Sequence, residues 1–175
     1  MKTQKTIYHL IVDRSGSMSD CIENTINGFN EQIQHIRQME ELYPEQEITI
    51  GLSMFNSDVV HKLLNERPAH APLLTTETYR PNGNTALLDA IGITTANLEK
   101  DQQESNRTIP TTVVVVILTD GHENSSRVFR LADIRKLISK LEESGQWTFS
   151  FMGATLDAVD VAEQMSIRRH NSRSF

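Results

Sequence analysis

Seven consecutive residues, Thr112 to Leu118, are almost wholly β-branched and apolar, with no polar partner at alternate positions. A strand with one wet face alternates, so this unbroken run marks a strand in the middle of a sheet covered on both faces. Ile7 to Val12 is a second apolar run of strand length. Such a sheet needs helices, and the rest of the chain supplies them. Ile22, Ile26, Phe29, Ile33 and Ile36 recur at spacings of four and three, the stripe of an amphipathic helix that Pro44 closes. A later helix is predicted to start near Thr85 and to bury Leu88, Ile91 and Leu98. Leu131, Ile134, Ile138 and Leu141 form another stripe, ended by Gly145; Trp147 to Met152 is a further strand and Asp157 to Met165 a short helix.

One pair of strands follows a different pattern. From Glu47 to Phe55, Ile48, Ile50, Leu52 and Met54 alternate with polar or small residues, Asn56-Ser57-Asp58 supplies turn chemistry, and a second run spans Val59 to Leu64. That is an antiparallel hairpin. The whole predicts an α/β fold: a Rossmann-like, doubly wound, mainly parallel sheet with one antiparallel strand and helices on both faces. At 175 residues, with no repeat, low-complexity tract or linker, the chain is expected to be a single domain over 1–175.

Composition narrows the function. A formal net charge of −6 and no long Lys/Arg block argue against a nucleic-acid binder, which must neutralise many phosphates. The one basic concentration, Arg168, Arg169, His170 and Arg173, fits a solvated face. Cys21 is the only cysteine, so no disulfide framework requires an oxidising compartment, and no basic neighbour in sequence makes it a nucleophile. The first apolar run is too short for a signal peptide or membrane span, so the expectation is a cytoplasmic protein without membrane partners.

Ligands of open α/β sheets bind beyond the carboxyl ends of the strands. Directly after the first strand stands Asp13-Arg14-Ser15-Gly16-Ser17, and after the central strand Thr119-Asp120-Gly121. Asn82-Gly83-Asn84-Thr85 adds a turn and a hydroxyl at a helix start. Asp13, Ser15, Ser17, Thr85 and Asp120 make an all-oxygen set that suits a hard cation, Mg²⁺ or Mn²⁺, rather than zinc or copper. Two carboxylates balance a divalent charge while hydroxyls add none, which leaves room for an outside oxygen, most naturally an Asp or Glu carboxylate of a protein partner.

Taken together, Asp13-x-Ser15-x-Ser17, Thr85 and Asp120-Gly121 resemble the metal-ion-dependent adhesion site of von Willebrand factor A domains. The element order is similar from about Thr6 to Met165. The resemblance implies that Ser15, Ser17 and Thr85 bind a metal through hydroxyls, and Asp13 and Asp120 directly or through water. Thr119 to Asn124, Phe151 to Ala154 and Asp157-Ala158 look like the small intracellular bacterial members. Such domains usually carry a last strand and a closing helix, and Phe175 falls about where that strand would be.

Other readings of the same residues stay open at this point. Thr85 fits an N-cap as well as a ligand, and Asp89, one turn later, fits a solvated or outer-shell carboxylate. His122 and Glu123 fit loop capping and partner contact as well as catalysis, and Gly28 fits close packing on the sheet. The alternative function is a Mg²⁺-dependent phosphoryl-transfer enzyme, because an Asp after the first strand also resembles haloacid-dehalogenase-type phosphatases. Those carry D-x-D, where Ser15 stands here, and the chain has no Walker loop and no G-x-S-x-G elbow.

Overall fold

The computed structural model describes residues 1–105 and 108–175. Its six strands are β1 (Gln4–Asp13), β2 (Gln46–Phe55), β3 (Val59–Glu66), β4 (Thr111–Thr119), β5 (Trp147–Gly153) and β6 (Ser172–Ser174), in the order β3-β2-β1-β4-β5-β6. All neighbours pair in parallel except β2 and β3, the predicted hairpin. The helices are α1 (Ile22–Leu42), α2 (Leu87–Glu104), α3 (Leu131–Glu143) and α4 (Leu156–Gln164).

Alternate residues of the central strands point to opposite faces, and each face has its own core. Leu10, Val12 and Leu118 pack with Phe29, Ile33 and Ile36 of α1. Val115, Ile117 and Phe149 pack on the other face with Ile91 of α2, Ile138 of α3 and Ala162 of α4. Right-handed crossovers explain the division. The chain moves one way from β1 to β2 and the other way from β4 to β5 and β6, so α1 lies alone on its face. The reversal falls between β1 and β4, and a crevice opens beyond their carboxyl ends.

Three details differ from, or refine, the sequence expectation. Helix α2 starts at Leu87, two residues after Thr85, whose carbonyl accepts the Asn124 and Ser125 N–H groups. The last strand is present, as the three residues of β6. Gly28 is buried against Met152 and Phe175, but an added methyl would meet them at 3.5 Å, an ordinary contact, so packing alone does not require glycine there. No helix among the described residues is long and apolar enough to cross a membrane.

A polar chain crosses the sheet beneath α2. His9 Nε2 and His61 Nδ1 both lie 2.7 Å from the Ser53 hydroxyl, and Asn97 Nδ2 on α2 lies 3.0 Å from His61 Nε2. Gly51 makes this possible, since a β-carbon there would lie 2.3 Å from His9 Nδ1. Burial, and then the charge of His61, lower the His9 pKa from 6.5 to about 3. Above pH 6.5 neither folded nor unfolded chain protonates His9. Between pH 6.5 and 3 only the unfolded chain does, so stability is lost as the pH falls through that window. The expected loss from this residue is roughly 1–2 kcal/mol between pH 6.5 and pH 5. Urea denaturation at the two pH values should show it, and the difference should shrink in His9→Gln.

Candidate metal centre

Asp13 is the last residue of β1 and is fully buried. Its two oxygens are held separately: Oδ1 accepts the Ser15 N–H at 2.8 Å, and Oδ2 accepts the Thr119 hydroxyl at 2.6 Å. The Asp13 carbonyl accepts the buried Tyr79 hydroxyl. Each carboxylate oxygen keeps a free lone pair in this arrangement. Burial raises the Asp13 pKa, hydrogen bonds from Thr119 and Ser15 oppose that, and the charge of Asp120 adds to it. The two carboxylates therefore feel each other's charge in a partly dry setting.

The Ser15 and Ser17 hydroxyls lie side by side. Ser15 Oγ and Ser17 Oγ are 3.2 Å apart as the chain leaves β1 into a short 3-10 turn, Gly16–Cys21. The loop that leads into Thr85 is tied to this turn by backbone bonds, Asn82 N–H to Arg14 O at 2.8 Å and Gly16 N–H to Gly83 O at 2.9 Å. Gly83 has φ of +77°, which favours glycine, and a β-carbon on Gly16 would press to 3.3 Å from the Gly83 oxygen. The Asn56 amide fixes the second loop by donating to the Asn82 side chain at 2.8 Å. Asp120 follows Thr119, is 7% exposed, and accepts the His122 N–H at 3.0 Å.

This donor set fits a divalent ion. Adjacent oxygens around Mg²⁺ at its usual bond lengths lie roughly 2.9 Å apart, close to the Ser15–Ser17 separation. Asp13 keeps lone pairs, and the Thr85 hydroxyl is not engaged elsewhere among the described residues. No group of three or more His, Cys, Asp or Glu side chains is placed to hold a metal among the described residues.

Matching the chain against family profiles gives the von Willebrand factor type A domain over residues 9–172. The chain belongs to that family. Among curated proteins, none matches it significantly. Solved structures of the same shape include proximal thread matrix protein 1 from the mussel byssus, with a zinc-occupied MIDAS motif. It has a TM-score of 0.55 and 15% identity over 98% of this chain and 41% of that one. A second is the three N-terminal domains of the type V pili tip protein Mfa5 from Porphyromonas gingivalis, with a TM-score of 0.60 and 9% identity over 97% of this chain and 46% of that one. This type A domain thus spans less than half of either protein, and identities this low bear on the fold alone. Domains of this family commonly act as metal-dependent protein-interaction modules.

The neighbouring residues have clear roles in the domain. Asp89 is buried, not solvated, and its carboxylate accepts the Arg127, Val128 and Phe129 N–H groups at 2.7–2.9 Å. Burial alone would raise its pKa, but these bonds outweigh it and hold the carboxyl below the usual range. Glu123 caps α2 through the Leu88 N–H and ties down Ser125 and Ser126, whereas the His122 side chain is exposed. Burial raises the Cys21 thiol pKa, with nearby aspartates adding to it, so the thiol stays protonated. Sequence reasoning missed Thr119 and Tyr79 as supports of Asp13. Thr119 carried a signal, a hydroxyl ending an aliphatic strand; Tyr79, far away in an irregular segment, carried none.

Proposed function

We propose that this domain is a metal-dependent protein-binding module in which Asp13, Ser15, Ser17, Thr85 and Asp120 hold Mg²⁺ or Mn²⁺. The observation that carries this reading is the pairing of two carboxylates with three neutral hydroxyls at the sheet's topological switch point. When bound, the ion offers an electrophilic position that an Asp or Glu carboxylate from a partner protein fills. The chain's residues prepare that position. Thr119 and the Ser15 N–H fix the Asp13 carboxylate, and the interlocked Arg14–Gly16 and Asn82–Gly83 loops set the hydroxyls before any ion arrives. Little then has to be ordered on binding, which favours affinity.

The test is to compare the proteins retained by the wild-type domain in Mg²⁺, in excess EDTA, and by a Ser15→Ala/Ser17→Ala variant. A partner should be retained only by the wild type in metal, with binding lost at least about tenfold otherwise, and its binding should fall when its own acidic residue is replaced by the amide. Tight binding that persists unchanged in EDTA would overturn the proposal.

A further inference from the structure

The segment that follows Asp120 is fixed more firmly than its exposed residues alone explain. Three consecutive N–H groups, those of Arg127, Val128 and Phe129, donate to the Asp89 carboxylate at 2.7–2.9 Å. Phe129 packs against the core shared by α2 and α3, in space that glycine leaves at position 92, where a β-carbon would lie 2.4 Å from its ring. Val128, between these anchors, is 68% exposed. A lone exposed valine on a loose loop is ordinary. On a backbone pinned by Asp89, this one is held out to solvent at a fixed place, so a partner that covers it has little loop to order.

Val128 lines a groove of about 440 Å³ over the first turns of α2. Val59 at the start of β3 and Ile93 of α2, both half-buried, add apolar surface from two other elements. The exposed charges on the lining, Asp58 and Arg127, are opposite in sign, and the Asp89 carboxylate is already engaged, so the groove favours an uncharged occupant. It is continuous with the residues that hold Thr85. Ser57 and Ser125 both line it; Ser57 Oγ accepts the Asn84 N–H at 3.1 Å, and the Ser125 N–H donates to the Thr85 carbonyl at 3.1 Å. The Ser125 hydroxyl is buried and has no partner, and such groups are rare in a finished fold.

We propose that this groove is the specificity subsite of the metal centre, taking an apolar side chain that stands two residues from the Asp or Glu that reaches the ion. The spacing comes from matching two rises. Asp89, which fixes Val128, comes about one helical turn, roughly 5–6 Å, after Thr85. Side chains two residues apart on one face of an extended segment are roughly 6.6 Å apart. This assignment rests on the metal-binding reading of Thr85 and its neighbours, and its test keeps the two apart.

An NMR titration of the full isotope-labelled chain, in Mg²⁺ and in excess EDTA, uses two peptides, acetyl-Gly-Leu-Gly-Asp-Gly-Leu-Gly-amide and the same sequence with serine for leucine. Leucine on both flanks makes the result independent of chain direction. In Mg²⁺ the leucine peptide should bind at least about tenfold tighter than the serine peptide, the effect of covering most of one leucine side chain. It alone should shift the Val59, Ile93 and Val128 methyl signals. In Val128→Ser, a substitution at an exposed side chain, the ratio of the two affinities should fall below about threefold. Calorimetric titration with Mg²⁺ on the same sample reports on the metal reading by itself. Equal affinity of the two peptides in Mg²⁺, with both lost in EDTA, would keep the metal reading and overturn the subsite. Leucine-peptide binding that survives EDTA would make the groove independent of the ion and overturn the proposal, as would no binding of either peptide. Val128 shifts that grow with protein concentration alone would make a second copy of the chain the occupant, which overturns it too.

Discussion

Asp13→Asn is expected to weaken Mg²⁺ and Mn²⁺ binding by at least about 100-fold while raising the melting temperature of the metal-free protein. The first effect follows from losing one of only two charged ligands in the proposed set; losing even an outer-shell support costs up to about 100-fold. The second follows from the environment of Asp13. Burial and Asp120 raise its pKa, so in the metal-free fold the carboxylate is held against its preference. Between its unfolded value and this raised value only the folded chain binds the proton. Stability therefore falls as the pH rises through that range, and Asp13 lowers metal-free stability above it. Asparagine can keep the Ser15 contact and removes the charge. A gain of about 1 kcal/mol would raise the melting temperature by about 2–4 °C for a domain of this size. Calorimetric titration, with thermal melts in EDTA, measures both effects. Unchanged metal affinity would remove Asp13 from the site. The same linkage predicts that protons compete with the metal as the pH falls.

The sequence made the sheet legible because the central strands are apolar on both faces. Runs such as Ile7 to Val12 and Val113 to Leu118 have no alternative to the middle of a covered sheet, and their interruption by Asp13 and Asp120 locates the binding edge. The hydroxyl ligands proposed for the metal were legible only as a pattern, since Ser15 or Thr85 alone is an ordinary turn or cap residue. What stayed hidden depends on contacts between distant segments. Tyr79 reaches the Asp13 carbonyl across a long irregular stretch, and Gly51 makes room for His9 on the neighbouring strand. Asp89 shows the limit most clearly. Its position one turn after Thr85 suggested a solvated or outer-shell carboxylate, but its partners are three consecutive backbone N–H groups 38–40 residues away.

Asp89→Ala is expected to cost at least about 3 kcal/mol, because it removes a charged acceptor from three backbone donors, each such bond contributing about 1.5 kcal/mol or more. The loss should not remain local. The 123–129 segment is pinned to α2 at three levels: Glu123 on the Leu88 N–H, Ser126 on the Asp89 N–H, and the Asp89 carboxylate on residues 127–129. The same segment gives its Asn124 side chain to the Thr85 N–H and the Asn124 and Ser125 N–H groups to the Thr85 carbonyl. Releasing its far end loosens what orients Thr85, so metal affinity should fall as well, although Asp89 is not among the proposed ligands. Asp89→Asn, which keeps an acceptor but not the charge, should fall between wild type and alanine on both measures. Urea denaturation, metal titration and hydrogen exchange of the 127–129 amides can follow the three variants together. If exchange at 127–129 rises in Asp89→Ala while metal affinity stays at the wild-type value, the loop supports the fold alone and Thr85 is held by its other contacts.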